Sequence, residues 1–184
     1  AQVYVKDSHK GIIDKETWNA VQEEFDRREK FMQKHGTDRY SYGSECNPFC
    51  EKIFCGECGS LFTRHSWKSR GIIQWQCKNH RKDGKVACTN AYVDNADLEK
   101  GFVKAFNRLA GEREKNMERW NAMKADGTPL EKIRAVQMME ATENGQLQKY
   151  VPEAVQLVLE EITIFGAKKY EFAFLEGSRV KVSV

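Results

Sequence analysis

The six cysteines of this 184-residue chain lie at positions 46, 50, 55, 58, 77 and 88, and none follows. Confining them to less than a quarter of the chain is poor use of disulfides, which staple distant parts together. No basic start followed by an apolar core marks a secretory leader. Metal or redox chemistry is therefore the expectation. Cys55-Gly56-Glu57-Cys58-Gly59-Ser60 separates the two. A redox C-x2-C opens a helix inside a βαβ unit, whereas here a Gly-Ser turn leads into an alternating stretch, Leu61 to Trp67. A metal knuckle needs both thiolates about 2.3 Å from one ion, with small neighbours that let backbone amides turn toward the sulfurs.

A closed tetrahedral site needs two more ligands. Cys77 follows Cys58 with eighteen residues between them, the length of one β-hairpin. The fourth ligand is Cys88, ten residues further across Lys82-Asp83-Gly84-Lys85, or His80, two residues further. Four-cysteine ribbons are common structural sites, which favours Cys88 without removing His80. Cys46 and Cys50 read as free or buried thiols. A segment as short as 53–90 cannot bury enough apolar surface alone, so a structural zinc would supply folding energy. Four thiolates leave no open position for water, which argues against a catalytic zinc.

Charge is unevenly placed. The chain has net charge +3, and between Gly59 and Asn90 seven Lys or Arg face one acid, Asp83; that segment carries +6, leaving +3 − 6 = −3 elsewhere. A compact cationic module points to a polyanionic partner, although a solvated basic surface gives the same count. Hydrophobic content of 40% and no apolar run of membrane-spanning length fit a soluble globular protein without a membrane partner.

Periodicity sketches the elements. Val3-Tyr4-Val5 reads as a short strand. Asp14 suits an N-cap for a helix over 15–34, with Trp18, Val21, Phe25 and Met32 on one face and Arg and Lys outside. Residues 37–52 read as a linker. From 53 to 90, strands joined by tight turns are expected, with Leu61, Thr63, His65 and Trp67 on one side of one strand and Ile73, Trp75 and Cys77 alternating on the next. Leu98, Phe102, Phe106 and Leu109 form a helical stripe that Gly111 interrupts, and a second piece carries Met117, Trp120 and Met123. Gly127, Thr128, Pro129 and Glu131 spell a helix end followed by a capping box. A further helix runs from Pro152 to Glu160, and strands close the chain at 162–165, 170–174 and 180–182. The fold class is α+β.

"DSHKGIIDKETWNAVQEEFDRR", then "NPF" and "KIFCGECGSLFTRHSWKSRG", then "WQCKNHRKDGKVACTNAYVDNADLEKGF", resemble the C-terminal part of large serine recombinases: phage integrases and mobile-element transposases of the resolvase–invertase superfamily. The resemblance is strong over 8–106 and weak over 107–150. It implies that 1–36 ends a recombinase DNA-binding domain. It also implies that 53–184 is a zinc β-ribbon domain with a helical insertion over about 95–160 and closing strands over about 161–184. It implies Cys55, Cys58, Cys77 and Cys88 as zinc ligands, an attachment-site DNA partner, recombination or integration as the process, and a bacterial or phage-encoded, cytoplasmic, nucleoid-associated setting. Such proteins cut DNA through a serine in an N-terminal catalytic domain. No candidate for that serine and its arginine cluster is visible here, so this stretch alone is expected not to be an enzyme; the start at Ala-Gln-Val suggests a piece of something longer. The helical segment is too short and broken for the family's long coiled coil, though it could still meet other protomers.

A two-stranded ribbon fits the major groove. Arg64, His65, Ser66 and Arg70 are candidates to reach base edges, and Lys68, Lys78, Arg81, Lys82 and Lys85 to neutralise phosphates. His65 has the alternative of packing with Trp67, and His9 reads as structural. The competing function is a zinc-stabilised protein-interaction module that dimerises or recruits a partner.

Overall fold

The computed structural model describes residues 11–184 except 42, 45, 68, 70, 83 and 84, with no side chains described for Arg81 and Lys82. The expected strand at 3–5, His9, Lys68 and Arg70 lie outside the described residues. The architecture is α+β: among the described residues there are five helices, a four-stranded sheet and the smaller sheets of a ribbon.

Helix α1 spans Lys15–His35, with the Asp14 carboxylate accepting from the Thr17 amide at 2.8 Å as the N-cap. Its inward face is not the expected one. Ala20, Glu24 and Phe31 are buried, while Trp18, Val21 and Phe25 are 55%, 41% and 58% exposed. Arginines also turn inward. Glu24 is held by Arg27 and Arg28 of α1 and by Arg134 of α4 (Pro129–Ala141) at 2.8–3.0 Å. Packing α1 against α4 satisfies this charge cluster, and the apolar stripe is left on the solvent side. The far end of α1 is fixed by aromatic contact, with the His35 ring stacked on Phe54 at 3.6 Å and Phe31 edge-on to Phe54 at 5.7 Å.

The ribbon comprises β2 (Phe62–Trp67) and β3 (Ile72–Cys77), paired antiparallel from Phe62↔Cys77 to Trp67↔Ile72. Burial on β3 falls on Trp75 and Cys77, as alternation predicts. On β2 it falls on Phe62, so the side shared by Leu61, Thr63, His65 and Trp67 is the outer one. A two-residue pair, β4 (Arg81–Lys82) with β5 (Lys85–Val86), follows, and β6 (Val93–Asp94) joins β3.

Helix α2 (Asn95–Gly111) buries Leu98, Phe102, Phe106 and Leu109 as its stripe requires and ends at Gly111. α3 (Arg113–Asp126) buries Trp120, and α4 opens with the capping box of Thr128 and Glu131. The Leu130 amide of α4 also donates to Glu23 of α1 at 2.9 Å, a carboxylate placed where the helix dipole favours it. α5 (Pro152–Val158) stops two residues short of the expected Glu160, because Leu159 already belongs to a strand.

That strand, β7 (Leu159–Ile164), continues through β8 (Lys169–Phe174) and β9 (Arg179–Ser183) as an antiparallel meander. Its other neighbour is β1 (Ile53–Cys55), which pairs parallel with β7 in the register Ile53↔Ile162 and Cys55↔Ile164. The sheet order β1-β7-β8-β9 therefore joins the first cysteine knuckle to the end of the chain. α2 packs its aromatic stripe on this sheet, with Phe102 at 6.3 Å from Phe172 and 6.4 Å from Phe174. Phe49, within the aperiodic stretch 37–52, is buried in the same core and packs near Tyr150 at 5.9 Å.

Candidate metal centre

Two tight turns aim four sulfurs at one point. In the first, the Gly59 amide donates to the Cys55 carbonyl and the Cys55 amide to the Ser60 carbonyl, both at 2.9 Å. Gly59 takes φ +73°, the left-handed region that glycine adopts without strain. Gly56 is required for a different reason: a Cβ there would lie 2.5 Å from the Phe165 ring. In the second turn the His80 amide donates to the Cys77 carbonyl at 2.9 Å. Asn79 Nδ2 donates to Ser60 Oγ at 2.6 Å and ties the turns together.

The Sγ atoms of Cys55, Cys58, Cys77 and Cys88 all lie within 4.8 Å of one another. Cys58 and Cys77 are 3.4 Å apart, and Cys55 and Cys88 3.6 Å. A tetrahedral zinc with Zn–S of about 2.3 Å sets its sulfurs about 3.8 Å apart, so this donor set fits the ion. His80 is outside the cluster; its ring packs edge-on to Tyr92 at 5.4 Å. Cys46, exposed, and Cys50, half-buried, also stand apart from it.

Each sulfur has an N–H donor. The backbone amides of Ser60, Asn79 and Asn90 serve Cys58, Cys77 and Cys88, each two residues after its cysteine. Cys55 instead receives Asn90 Nδ2 at 3.1 Å. Such bonds orient and stabilise thiolate ligands. Burial above all, with the neighbouring cysteines adding to it, holds the Cys77 thiol far above its ordinary range and Cys88 up at about 11. At Cys58 burial also pushes upward, but the Ser60 amide and the Cys77 thiol outweigh it and bring the group to about 7. A metal bound here must displace protons.

The hairpin residues surround this centre. Arg64, His65 and Ser66 are exposed on β2, and Arg64 pairs in register with Trp75, whose indole donates to Asn95 at the start of α2 at 2.9 Å. The His65 ring stacks on Trp67 at 6.1 Å and lies 3.2 Å from Thr63 Oγ1. Lys78, next to Cys77, and Lys85, on β5, are exposed. Arg81 and Lys82 form β4.

Spacing alone overlooked Asn90, Ile164 and Phe165. Asn90 was signalled only by the repeat Cys58-Gly59-Ser60, Cys77-Lys78-Asn79, Cys88-Thr89-Asn90. The other two carry no local mark, since they reach the centre through the β1–β7 pairing.

Residues 48–107 match the family model of the recombinase zinc beta ribbon domain. All four clustered cysteines lie within the matched stretch, which is similar to the zinc ribbon of recombinases. No curated protein and no solved structure matches the chain. No helix among the described residues is long and apolar enough to cross a membrane.

Proposed function

We propose that this chain is the DNA-targeting part of a site-specific serine recombinase. Its zinc is structural, held by Cys55, Cys58, Cys77 and Cys88, and it fixes the base of a hairpin that contacts attachment-site duplex. Residues 1–36 end the preceding recombinase domain, and the serine chemistry belongs to another part of the parent protein. One observation carries the reading: the four-cysteine cluster within the matched ribbon stands at the root of the segment that concentrates the chain's positive charge. Arg64, Lys78 and Lys85 present cations to solvent there. Phosphate neutralisation makes affinity fall with salt by a slope of about 0.9 per contact.

Gel shifts over a salt series test it. Arg64→Glu with Lys78→Glu should weaken retardation of attachment-site duplex at least about tenfold and flatten the salt slope by about two contacts. Undiminished affinity in that variant rules out the hairpin as the DNA-contacting element.

A second reading, self-association through the helical face, is favoured by one feature. Val21 and Phe25 of α1 and Leu130 and Ile133 of α4 line an open apolar cleft of about 210 Å³, and Trp18 of α1 is exposed as well. A second copy of the chain is the occupant that this reading requires.

A further inference from the structure

Asn90 is 2% exposed, and both hydrogens of its side-chain amide are engaged. One Nδ2 hydrogen goes to Cys55 Sγ at 3.1 Å and the other to the Ile164 carbonyl at 2.8 Å, while Oδ1 accepts from the Ala91 amide at 2.9 Å. The Ile164 carbonyl also accepts from the Gly56 amide at 2.8 Å. One carbonyl of β7 thus receives both the loop after Cys55 and the loop after Cys88. Phe165, the next residue, closes over Gly56 so tightly that no Cβ fits.

We infer that the metal centre is completed by strand β7, more than fifty residues beyond the matched ribbon at 48–107, and that Asn90 is the positioning residue that couples them. This rests on the reading of Cys55, Cys58, Cys77 and Cys88 as zinc ligands. The Cys55 sulfur takes an N–H from the Asn90 side chain, at 3.1 Å, while Cys58, Cys77 and Cys88 each take one from the amide two residues on. The Asn90 amide that reaches Cys55 also grips β7 through the Ile164 carbonyl. Metal occupancy and the β1–β7 pair are therefore one cooperative unit. Formation of the site stabilises the closing sheet, and the sheet in turn preorganises Cys55.

Asn90→Asp keeps the shape and the Oδ1 acceptor but removes both donor hydrogens. In the full chain it should weaken zinc binding 10–100-fold in a competition titration. It should also shift the cobalt–thiolate charge-transfer band of the cobalt-loaded protein to longer wavelength, because the sulfur loses a hydrogen bond; a purely structural role leaves that band in place. Amide hydrogen exchange on the wild type adds a test that needs no variant. Stripping zinc with a chelator should deprotect 162–164 together with 55–60. An unshifted band with unchanged affinity, or protection at 162–164 that survives chelation while 55–60 opens, overturns the coupling. Failure of the wild type to bind zinc overturns instead the ligand assignment on which it rests.

Discussion

Lys52 brings a positive charge into a place that is 2% exposed. Its ammonium meets the Leu159 carbonyl at 3.3 Å and the Tyr40 ring at 5.4 Å. Arg27, Arg134, Glu24 and Glu160 act on it from α1, α4 and β7. Burial first, and then the neighbouring arginines, lower its pKa to about 8. The unfolded chain, with a lysine near 10.4, binds more protons between those values, so stability should rise with pH from about 8 to 10.5. Lys52→Met should remove that rise and raise stability at pH 7 by on the order of 1 kcal/mol, as replacing a poorly paired buried charge by an apolar side chain does; thermal melts from pH 7 to 10.5 read both. Glu24 and Glu161 are lowered too, but at neutral pH their lowered pKa values stabilise the fold. At Glu24 and Glu161 burial pushes upward, but arginines around the first and His35, Lys34 and Arg179 around the second outweigh it and hold both at about 2. Their contribution is complete above about 4.5 and is lost as pH falls toward 2. Local spacing picked out Cys55, Cys58 and Cys77, because knuckle and hairpin geometry is local, and left the fourth ligand between Cys88 and His80. It could not reveal Lys52 or Glu161, whose partners come from distant segments.

At the scale of elements, legibility followed the same division. The start of α4 was readable because Thr128, Pro129 and Glu131 cap it within four residues; the structure shows both reciprocal hydrogen bonds, at 2.8 and 3.4 Å. Thr128→Ala should cost about 1 kcal/mol, measured as a shifted urea midpoint at unchanged slope. The inward face of α1 was not readable. Its apolar stripe satisfies helical periodicity, and what overrides it is Arg134, 110 residues from Glu24. Similarly, Ile53-Phe54-Cys55 looks like the first piece of a ribbon, and only the presence of Ile162–Ile164 assigns it to the closing sheet. Helix ends and hairpins are written in neighbouring residues, whereas faces and parallel partners are chosen by the rest of the fold.

For the whole molecule, the apolar cleft of α1 and α4 decides between the two functional readings. Contiguous exposed apolar patches mark interaction sites. Under the self-association reading, sedimentation without DNA should show a concentration-dependent dimer that Trp18→Glu with Phe25→Glu converts to monomer. A wild type that is monomeric at every concentration eliminates that reading and leaves the DNA-targeting one. The closing sheet has its own consequence, in time rather than in space. Ile53 and its partner Ile162 are separated by 162 − 53 = 109 positions, so β1 cannot find its neighbour until the chain has been synthesised through β7. Pairings that close such long loops form late and slowly, and domains emerge from the ribosome N-terminus first. The nascent ribbon must therefore wait with its thiols unsheltered until a strand made much later arrives to lock it.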